Sequence, residues 1–455
     1  MHHPTSSTRN APPPRDRAEE HPNFNRVSSI LPVSNSEIPL DSPRESGIAL
    51  DSLPLPTKGE TVAHSRWFEE EFFKRVAVRQ LLAIATLARN ENHECRFGER
   101  VAGGYNVVVF LIFDDGVEWV AKMPIRARDN DDENEKVISE FATLKFLQEI
   151  GTVPAPKIRG FAFDRNNPTK TPYLLMDKVP GISLYQAIEE GLSRDCVYQT
   201  LRQLAQIRKD LTSYKFHEIG SLTVIDDETC EVGVDRLLTV WNFFDYLEPY
   251  KSRSGPFETS LAYYANLYHT SWSEYQAVYR EIGVRERWNI HAYLGSVLSS
   301  YVGDETGEFF LAHTDLDGQN ILVDRNGSIT GIIDWEFANT LPFRAAEHYP
   351  LLLSLKDEFV ELLKDVYENP IAELQTWRRI YAEQFIGDSP MIEYLNNIDQ
   401  IIAFESILRD NDKATLNNLV TVFRFLQTPG ALDQVVRLPF PWTGATDLPQ
   451  RQPEN

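Results

Sequence analysis

The sequence predicts an α+β fold in two lobes, a small antiparallel β lobe followed by a larger, mainly helical one. Three observations carry this reading. Between residues 95 and 179, apolar residues alternate in short runs broken by Gly, Asp-Gly and Asn-Pro turns. Beyond residue 180 the apolar period lengthens to that of helices. Near residue 310 a polar loop runs directly into a tight hairpin.

The elements follow in chain order. The first 60 residues hold ten of the 27 prolines, including Pro12-Pro13-Pro14, with serines and mixed charges, and read as a disordered tail over 1–60. No apolar run there suits a signal peptide or membrane span, and Asp16, Glu19 and Glu20 argue against a mitochondrial presequence. The small lobe is assigned to 61–179. It opens with helical apolar spacing over 67–87, read as one helix packed on the lobe. Residues 95–125 read as strand, glycine turn at Gly103-Gly104, strand, Asp-Gly turn and strand, with Lys122 alternating with Val120 on the third strand. Over 133–150, Val137, Phe141, Leu144 and Leu147 form a helical apolar stripe with Glu140 inside it. A charge facing inward needs a counterion, and Lys122 is the candidate. Glu133 and Glu135 lie near the helix start, where acids favour the dipole. Residues 157–164 and 173–179 read as a hairpin around Asp164-Arg165-Asn166-Asn167-Pro168, and Asp177 to Gly181 as a linker. The large lobe, 180–428, carries helical patterns near 184–190, 197–213, 275–282, 285–298, 356–367, 371–385, 392–408 and 414–426. The proline-rich end, 429–455, reads as an extended tail.

Residues 309–337, FFLAHTDLDGQNILVDRNGSITGIIDWEF, carry the chemistry. His313, Asp315 and Asn320 stand as H-x-D-x-x-x-x-N, followed by Ile321-Leu322-Val323, a turn at Arg325-Asn326-Gly327-Ser328, and a return through Ile329, Ile332 and Ile333 to Asp334. Asn-Gly flanked by apolar alternation predicts a hairpin that brings Asp315, Asn320 and Asp334 to one end of a ribbon. Such a set suits phosphoryl transfer from a nucleotide. One aspartate accepts or orients a hydroxyl proton, while an amide oxygen and a second carboxylate hold magnesium against phosphate. His313 reads as a buried structural histidine bonding nearby backbone, and Asp317 and Asp324 as solvated loop carboxylates.

This segment resembles the catalytic segment of the kinase-like superfamily, and is most similar to its aminoglycoside phosphotransferase and choline kinase branch. Thr314 stands where protein kinases have arginine, Asp334-Trp335-Glu336 replaces Asp-Phe-Gly, and no Ala-Pro-Glu follows, so a phosphorylation-switched activation loop is not expected. The resemblance implies a bilobal protein-kinase-like fold, ATP and Mg2+ as cofactors, Asp315 as catalytic residue, and Asn320 and Asp334 as metal ligands. It also implies that Gly103, Gly104 and Asn106 cradle phosphates, and that Lys122, oriented by Glu140, pairs with the inner phosphates. The linker becomes the interlobe hinge, with the Asp177 carbonyl and Val179 amide meeting the adenine edge and Met176 at the back of the pocket. The expected reaction is transfer of the terminal phosphoryl group to a hydroxyl of a small molecule. A choline- or ethanolamine-type kinase and a catalytically idle nucleotide-binding or scaffold protein are the alternatives.

Composition bounds the partners. The formal charge of −22, from 45 basic and 67 acidic residues, argues against nucleic acid or an anionic membrane and suits a cationic acceptor. Residues 239–302 are dense in aromatics, which read as core packing or as a cage for a cationic amine. Cys95, Cys196 and Cys230 are an odd number without C-x-x-C, giving neither a metal site nor a disulfide framework, and point to a reduced, cytoplasmic setting.

Overall fold

The computed structural model describes residues 73–385 except 74–75, 90–91, 104–105, 125–131, 227, 239–253, 279–294, 297, 300–301, 303–306, 347, 354–359 and 362, together with Leu395. The two tails, the helical patterns at 285–298, 392–408 and 414–426 for all but a few residues, and most of the aromatic segment before residue 254 lie outside the described residues.

The small lobe begins with α1 (Gln80–Ala88). The single helix expected over 67–87 is interrupted, because residues 76–77 are non-helical and a turn precedes Gln80. There the Ala77 N–H donates to the Thr169 carbonyl at 2.8 Å, so the backbone bonds to a neighbouring loop instead of to its own helix. Strands β1 (Cys95–Ala102), β2 (Asn106–Phe113) and β3 (Glu118–Pro124) form an antiparallel meander. After it come helix α2 (Asp132–Ile150), β4 (Ile158–Ala162) and β5 (Tyr173–Asp177), giving a sheet of order β1-β2-β3-β5-β4. One face of this sheet, carrying Val107, Val109, Leu111, Ala121, Met123 and Leu175, is closed by Leu81, Ile84 and Ala85 of α1. Each such large aliphatic side chain contributes about 1.5–3 kcal/mol when fully buried. The other face packs Leu174 and Met176 against Val137, Phe141 and Leu144 of α2. Strand alternation decides where Lys122 goes: Ala121 and Met123 take the face under α1, so Lys122 points to α2.

The chain leaves the sheet at Asp177 and enters the large lobe through β6 (Ile182–Ser183), α3 (Leu184–Glu189) and α4 (Arg194–Thr212). Ser183 and Ser193 cap the two helices, accepting from the N–H groups of Gln186 and Cys196 at 3.2 and 3.3 Å. A hairpin, β7 (Gly220–Asp226) and β8 (Glu231–Asp235), precedes α5 (Ser260–Val278), which begins well before the 275–282 helix expected from sequence. Strands β9 (Phe309–Ala312), β10 (Ile321–Val323), β11 (Ile329–Ile332) and β12 (Asn339–Pro342) lead to α6 (Phe343–Ala346) and α7 (Pro370–Glu383). The lobe's described residues therefore hold seven strands as well as helices, in two sheets of order β11-β10-β6 and β8-β7-β12-β9. Most of these strands have three or four residues or pair with distant partners, so their periodicity is too short to separate them from loops. No described helix is long and apolar enough to cross a membrane.

Helix α2 joins the lobes. The Lys145 ammonium donates to the Cys230 carbonyl at 2.6 Å, and Glu135 faces Arg236 at 3.3 Å, tying the helix to the β7–β8 hairpin.

Candidate active site

The β10–β11 hairpin closes as its Asn-Gly turn requires. Gly327 sits at φ +74°, and Asp324 accepts from the N–H groups of Asn326 and Ser328, both at 2.8 Å. Asp324 is thus a turn organiser and not merely a solvated carboxylate. At the far end of the hairpin the Ile333 N–H donates to the Asn320 carbonyl at 2.9 Å. The loop before β10 is fastened to the same end: the Asn320 amide donates to the Asp315 carbonyl at 2.9 Å and to its carboxylate at 3.1 Å. With Nδ2 committed to Asp315, the Asn320 Oδ1 atom is the free end of that side chain.

His313 is a structural residue of this junction. Its Nδ1 accepts from the Asp315 N–H at 3.2 Å, which leaves Nε2 protonated to donate to the Ile333 carbonyl at 2.9 Å. Burial lowers its pKa and keeps the ring neutral. Trp335 packs edge-on against the ring with centroids 4.6 Å apart, while the Thr314 hydroxyl donates to the Phe337 carbonyl at 2.8 Å. Two loops distant in sequence are laced together, and Asp334 is held at φ +63° between them.

Lys122 reaches this junction from the small lobe. Its ammonium is 2.8 Å from Glu140, 2.6 Å from Asp334 and 3.0 Å from Glu336. Burial opposes its charge, but the three carboxylates more than offset this and raise its pKa well above the usual lysine value. The structure thus pairs Glu140, and not Glu135, with Lys122; Glu135 turns to Arg236. Burial, opposed by Lys122, pushes Glu140 up to about 7. Burial would also raise Asp334, yet the Lys122 charge outweighs it and holds that carboxyl below its usual value. Asp315 is pushed up to about 6, first by burial and then by the charges of Asp334 and Asp317, against the Asn320 hydrogen bond.

The remaining expected residues fall as follows. The Gly103 N–H donates to the Asn106 carbonyl at 2.9 Å, closing the glycine turn, while Gly104 lies outside the described residues. Asn106 spends a side-chain N–H on Glu336 at 2.7 Å. Met176 is buried on the inner sheet face, and the Asp177 carboxylate is paired in two bonds of 2.6 Å with Arg159. Val179 follows in the linker, its side chain against Gly331, where a Cβ would come within 2.5 Å of it. The aromatic cage is not assembled among the described residues, where Tyr263 and Tyr264 are buried core.

Three residues escaped the sequence reading. Glu336 and Lys136 are both buried and lie 3.1 Å apart; Glu336 stands two residues after Asp334, and Lys136 one turn before Glu140, so position was the available signal. Asp317 is also buried, accepting from the Tyr185 hydroxyl and, at 2.6 Å, from the Gly318 N–H, instead of being solvated. No periodicity marks a carboxylate as buried inside a loop.

The donor set suits a hard divalent cation: Asn320 keeps an amide oxygen free, and the Asp334 side chain, 39% exposed, engages Lys122 through Oδ1 only. The arrangement offers two carboxyls raised toward neutrality, Asp315 and Glu140, with Asp334 held ionised and the Lys122 ammonium fixed, within a single cleft.

The chain has likenesses among known families, proteins and solved structures. The model of the phosphotransferase enzyme family matches residues 98–343. The chain is 26% identical over 279 residues to the clavilactone A biosynthesis cluster protein Y of Ampulloclitocybe clavipes, covering 55% of this chain and 63% of that protein. It is 29% identical over 120 residues to a subtelomeric hrmA-associated cluster protein of Aspergillus fumigatus, covering 26% of this chain and 23% of that one. It thus spans less than two thirds of the length of either relative. Among solved structures, it is similar to a thermostable aminoglycoside phosphotransferase APH(4)-Ia mutant, at 13% identity and TM-score 0.39, covering 75% of this chain and 94% of that one. It is also similar to macrolide 2'-phosphotransferase MphH from Brachybacterium faecium, at 16% identity and TM-score 0.35, covering 79% and 99%. The family match runs from within β1 to the first residue of α6, across more than half of the chain and every residue of the cleft described above, so this protein belongs to the phosphotransferase enzyme family.

Proposed function

We propose that the protein catalyses magnesium-dependent transfer of the terminal phosphoryl group of ATP to a hydroxyl of a small molecule. The observation that carries this reading is the meeting of Lys122, Glu140 and Asp334 from three separate elements, beside an Asp315–Asn320 pair fixed by hydrogen bonds. In the proposed site the lobe boundary lies between residues 179 and 180, with adenine against the hinge at Met176, the Asp177 carbonyl and the Val179 N–H. The glycine turn at Gly103-Gly104 and Asn106 would cradle the phosphates, and Lys122 would contact the inner ones. Asn320 and Asp334 would hold the magnesium ion, which supplies charge neutralisation at the phosphate oxygens.

Asp315 then orients the acceptor hydroxyl. As the hydroxyl oxygen bonds to the terminal phosphorus, the bond from that phosphorus to the ADP oxygen breaks, and the hydroxyl proton passes to the Asp315 carboxylate. The acidic balance of the chain favours a protonated amine or another cation as acceptor. The deciding experiment is a broad metabolite screen with ATP and magnesium, read by mass spectrometry for a gain of one phosphoryl group. Phosphorylation of an alcohol supports the reading. Nucleotide binding without turnover of any acceptor would favour an idle binding protein instead.

A further inference from the structure

We propose that Glu336 is a positioning residue that ties the glycine turn to the catalytic loops across the cleft, acting through Asn106. The inference rests on the proposed nucleotide site and extends it to a residue that contacts no reacting atom.

Glu336 belongs to the loop between β11 and β12 in the large lobe and is 6% exposed. Its Oε2 atom meets three donors, all from the small lobe: Asn106 Nδ2 at 2.7 Å, Lys122 Nζ at 3.0 Å and Lys136 Nζ at 3.1 Å. These donors come from β2, β3 and α2, so one carboxylate oxygen gathers the turn-bearing strand, the lysine strand and the helix around the metal loop. A buried carboxylate is retained only when compensated, and two ammoniums and an amide provide that. Lys136 itself is buried and lies 5.5 Å above the Phe337 ring, so Glu336 and its neighbour form its floor.

Asn106 is the link to the turn. Its carbonyl accepts the Gly103 N–H that closes the turn, and its side chain donates to Glu336. One residue therefore fixes the foot of the glycine turn and crosses the cleft. Asp334 and Lys122 are the groups assigned to metal and phosphate. The Asn106–Glu336 and Glu336–Lys136 contacts run beside the one that Lys122 makes to the same oxygen, so the turn keeps its tie to Glu336 when Lys122 and Asp334 engage phosphate and metal. The expected consequence is selective: phosphates, which sit under the turn, feel the tie, and the nucleoside does not.

The test uses the full chain, folded by circular dichroism, with calorimetry for Mg·ADP and for ADP in chelator, and saturation-transfer NMR for adenosine. Asn106→Ala and Glu336→Gln should each weaken ADP about tenfold, with magnesium and without it, because the first removes the hydrogen bond to a buried charge and the second removes the charge that strengthens it. Adenosine binding should not change. The double variant should lose about as much as Glu336→Gln alone, since both substitutions act on ADP through the shared Asn106–Glu336 contact. Unchanged ADP affinity in Asn106→Ala, a loss confined to the magnesium condition, additive losses, or an equal loss for adenosine would each overturn the proposal. Asn106→Ala keeps the test open should Glu336→Gln not fold, because Asn106 is only half-buried and its loss leaves Glu336 its two lysines. A wild-type chain that binds no ADP at all would overturn the nucleotide reading itself, and is recognised before any variant is made.

Discussion

Asp315 combines a hydrogen bond to Asn320 with a carboxyl lifted to about 6, and these two properties yield separable predictions. Because Asp315 is assigned to the acceptor and not to the cation, Asp315→Asn should leave Mg·ADP affinity within about twofold while slowing phosphoryl transfer on the order of a hundredfold or more. Parallel collapse of affinity and turnover in a folded variant would make Asp315 a metal or structural residue. The pH dependence has a fixed sign. A base must be ionised, so the rate should be flat above pH about 6 and fall as pH drops through it. A bound cation stabilises the carboxylate, which moves the limb in kcat to or below that in kcat/KM. The same group favours the folded state only at acid pH. Its folded pKa lies above the reference 3.8, so that contribution is complete below 3.8 and is lost as pH rises through about 6. Lys122 and Glu140 were legible in the sequence because each breaks an apolar pattern. Glu336 sits in a loop and Lys136 in the polar start of a helix, so neither breaks an apolar pattern, and residue type alone does not say which buried charges meet across the cleft.

The β10–β11 hairpin shows what local sequence specifies and what it leaves to tertiary contacts. Asn326-Gly327 announces the turn, and the observed φ of +74° at Gly327 is the conformation that glycine permits. What local pattern could not reveal is the packing of that turn on α4. The Gly327 carbonyl accepts from the Thr200 hydroxyl at 2.7 Å, and a Cβ at Gly327 would come within 2.4 Å of the Cys196 carbonyl oxygen. Gly327→Ala therefore meets two penalties, a left-handed backbone and a clash with helix backbone, and should cost about 1–3 kcal/mol. A shift of the urea midpoint to lower concentration at constant slope would bear this out; an unchanged midpoint would mean that the turn relaxes freely away from α4. The 67–87 segment fails in the opposite sense. Its apolar spacing is helical throughout, yet residues 76–77 are non-helical and Ala77 gives its N–H to Thr169, a tertiary contact that local spacing does not announce. The short strands of the large lobe were hidden for a related reason, since three or four residues span at most two periods of a strand and barely one turn of a helix.

At the scale of the whole molecule, the cleft places the buried Lys122, Lys136, Glu140 and Glu336 in one network with the partly exposed Asp334, and binding at that network should be visible in global stability. A ligand that binds only the folded state at a hundred times its dissociation constant adds about 2.7 kcal/mol, which for a chain of this size is a rise in Tm of a few degrees. Asp334→Asn separates the parts of that rise. Asp334 sits at φ +63°, a conformation asparagine tolerates better than most residues, and Lys122 keeps Glu140 and Glu336 when the charge at position 334 is removed. The ligand-free variant should therefore melt within a few degrees of wild type. With ADP in chelator it should be stabilised much as wild type is, since the adenine and lysine contacts remain. Adding magnesium should raise the wild-type Tm further and leave the variant where it was, because a neutral amide cannot neutralise a divalent cation as the carboxylate does. Differential scanning calorimetry with ADP, with and without magnesium, distinguishes the cases. A magnesium-dependent rise of the same size in both proteins would remove Asp334 from the metal site and leave it as a partner of Lys122 alone.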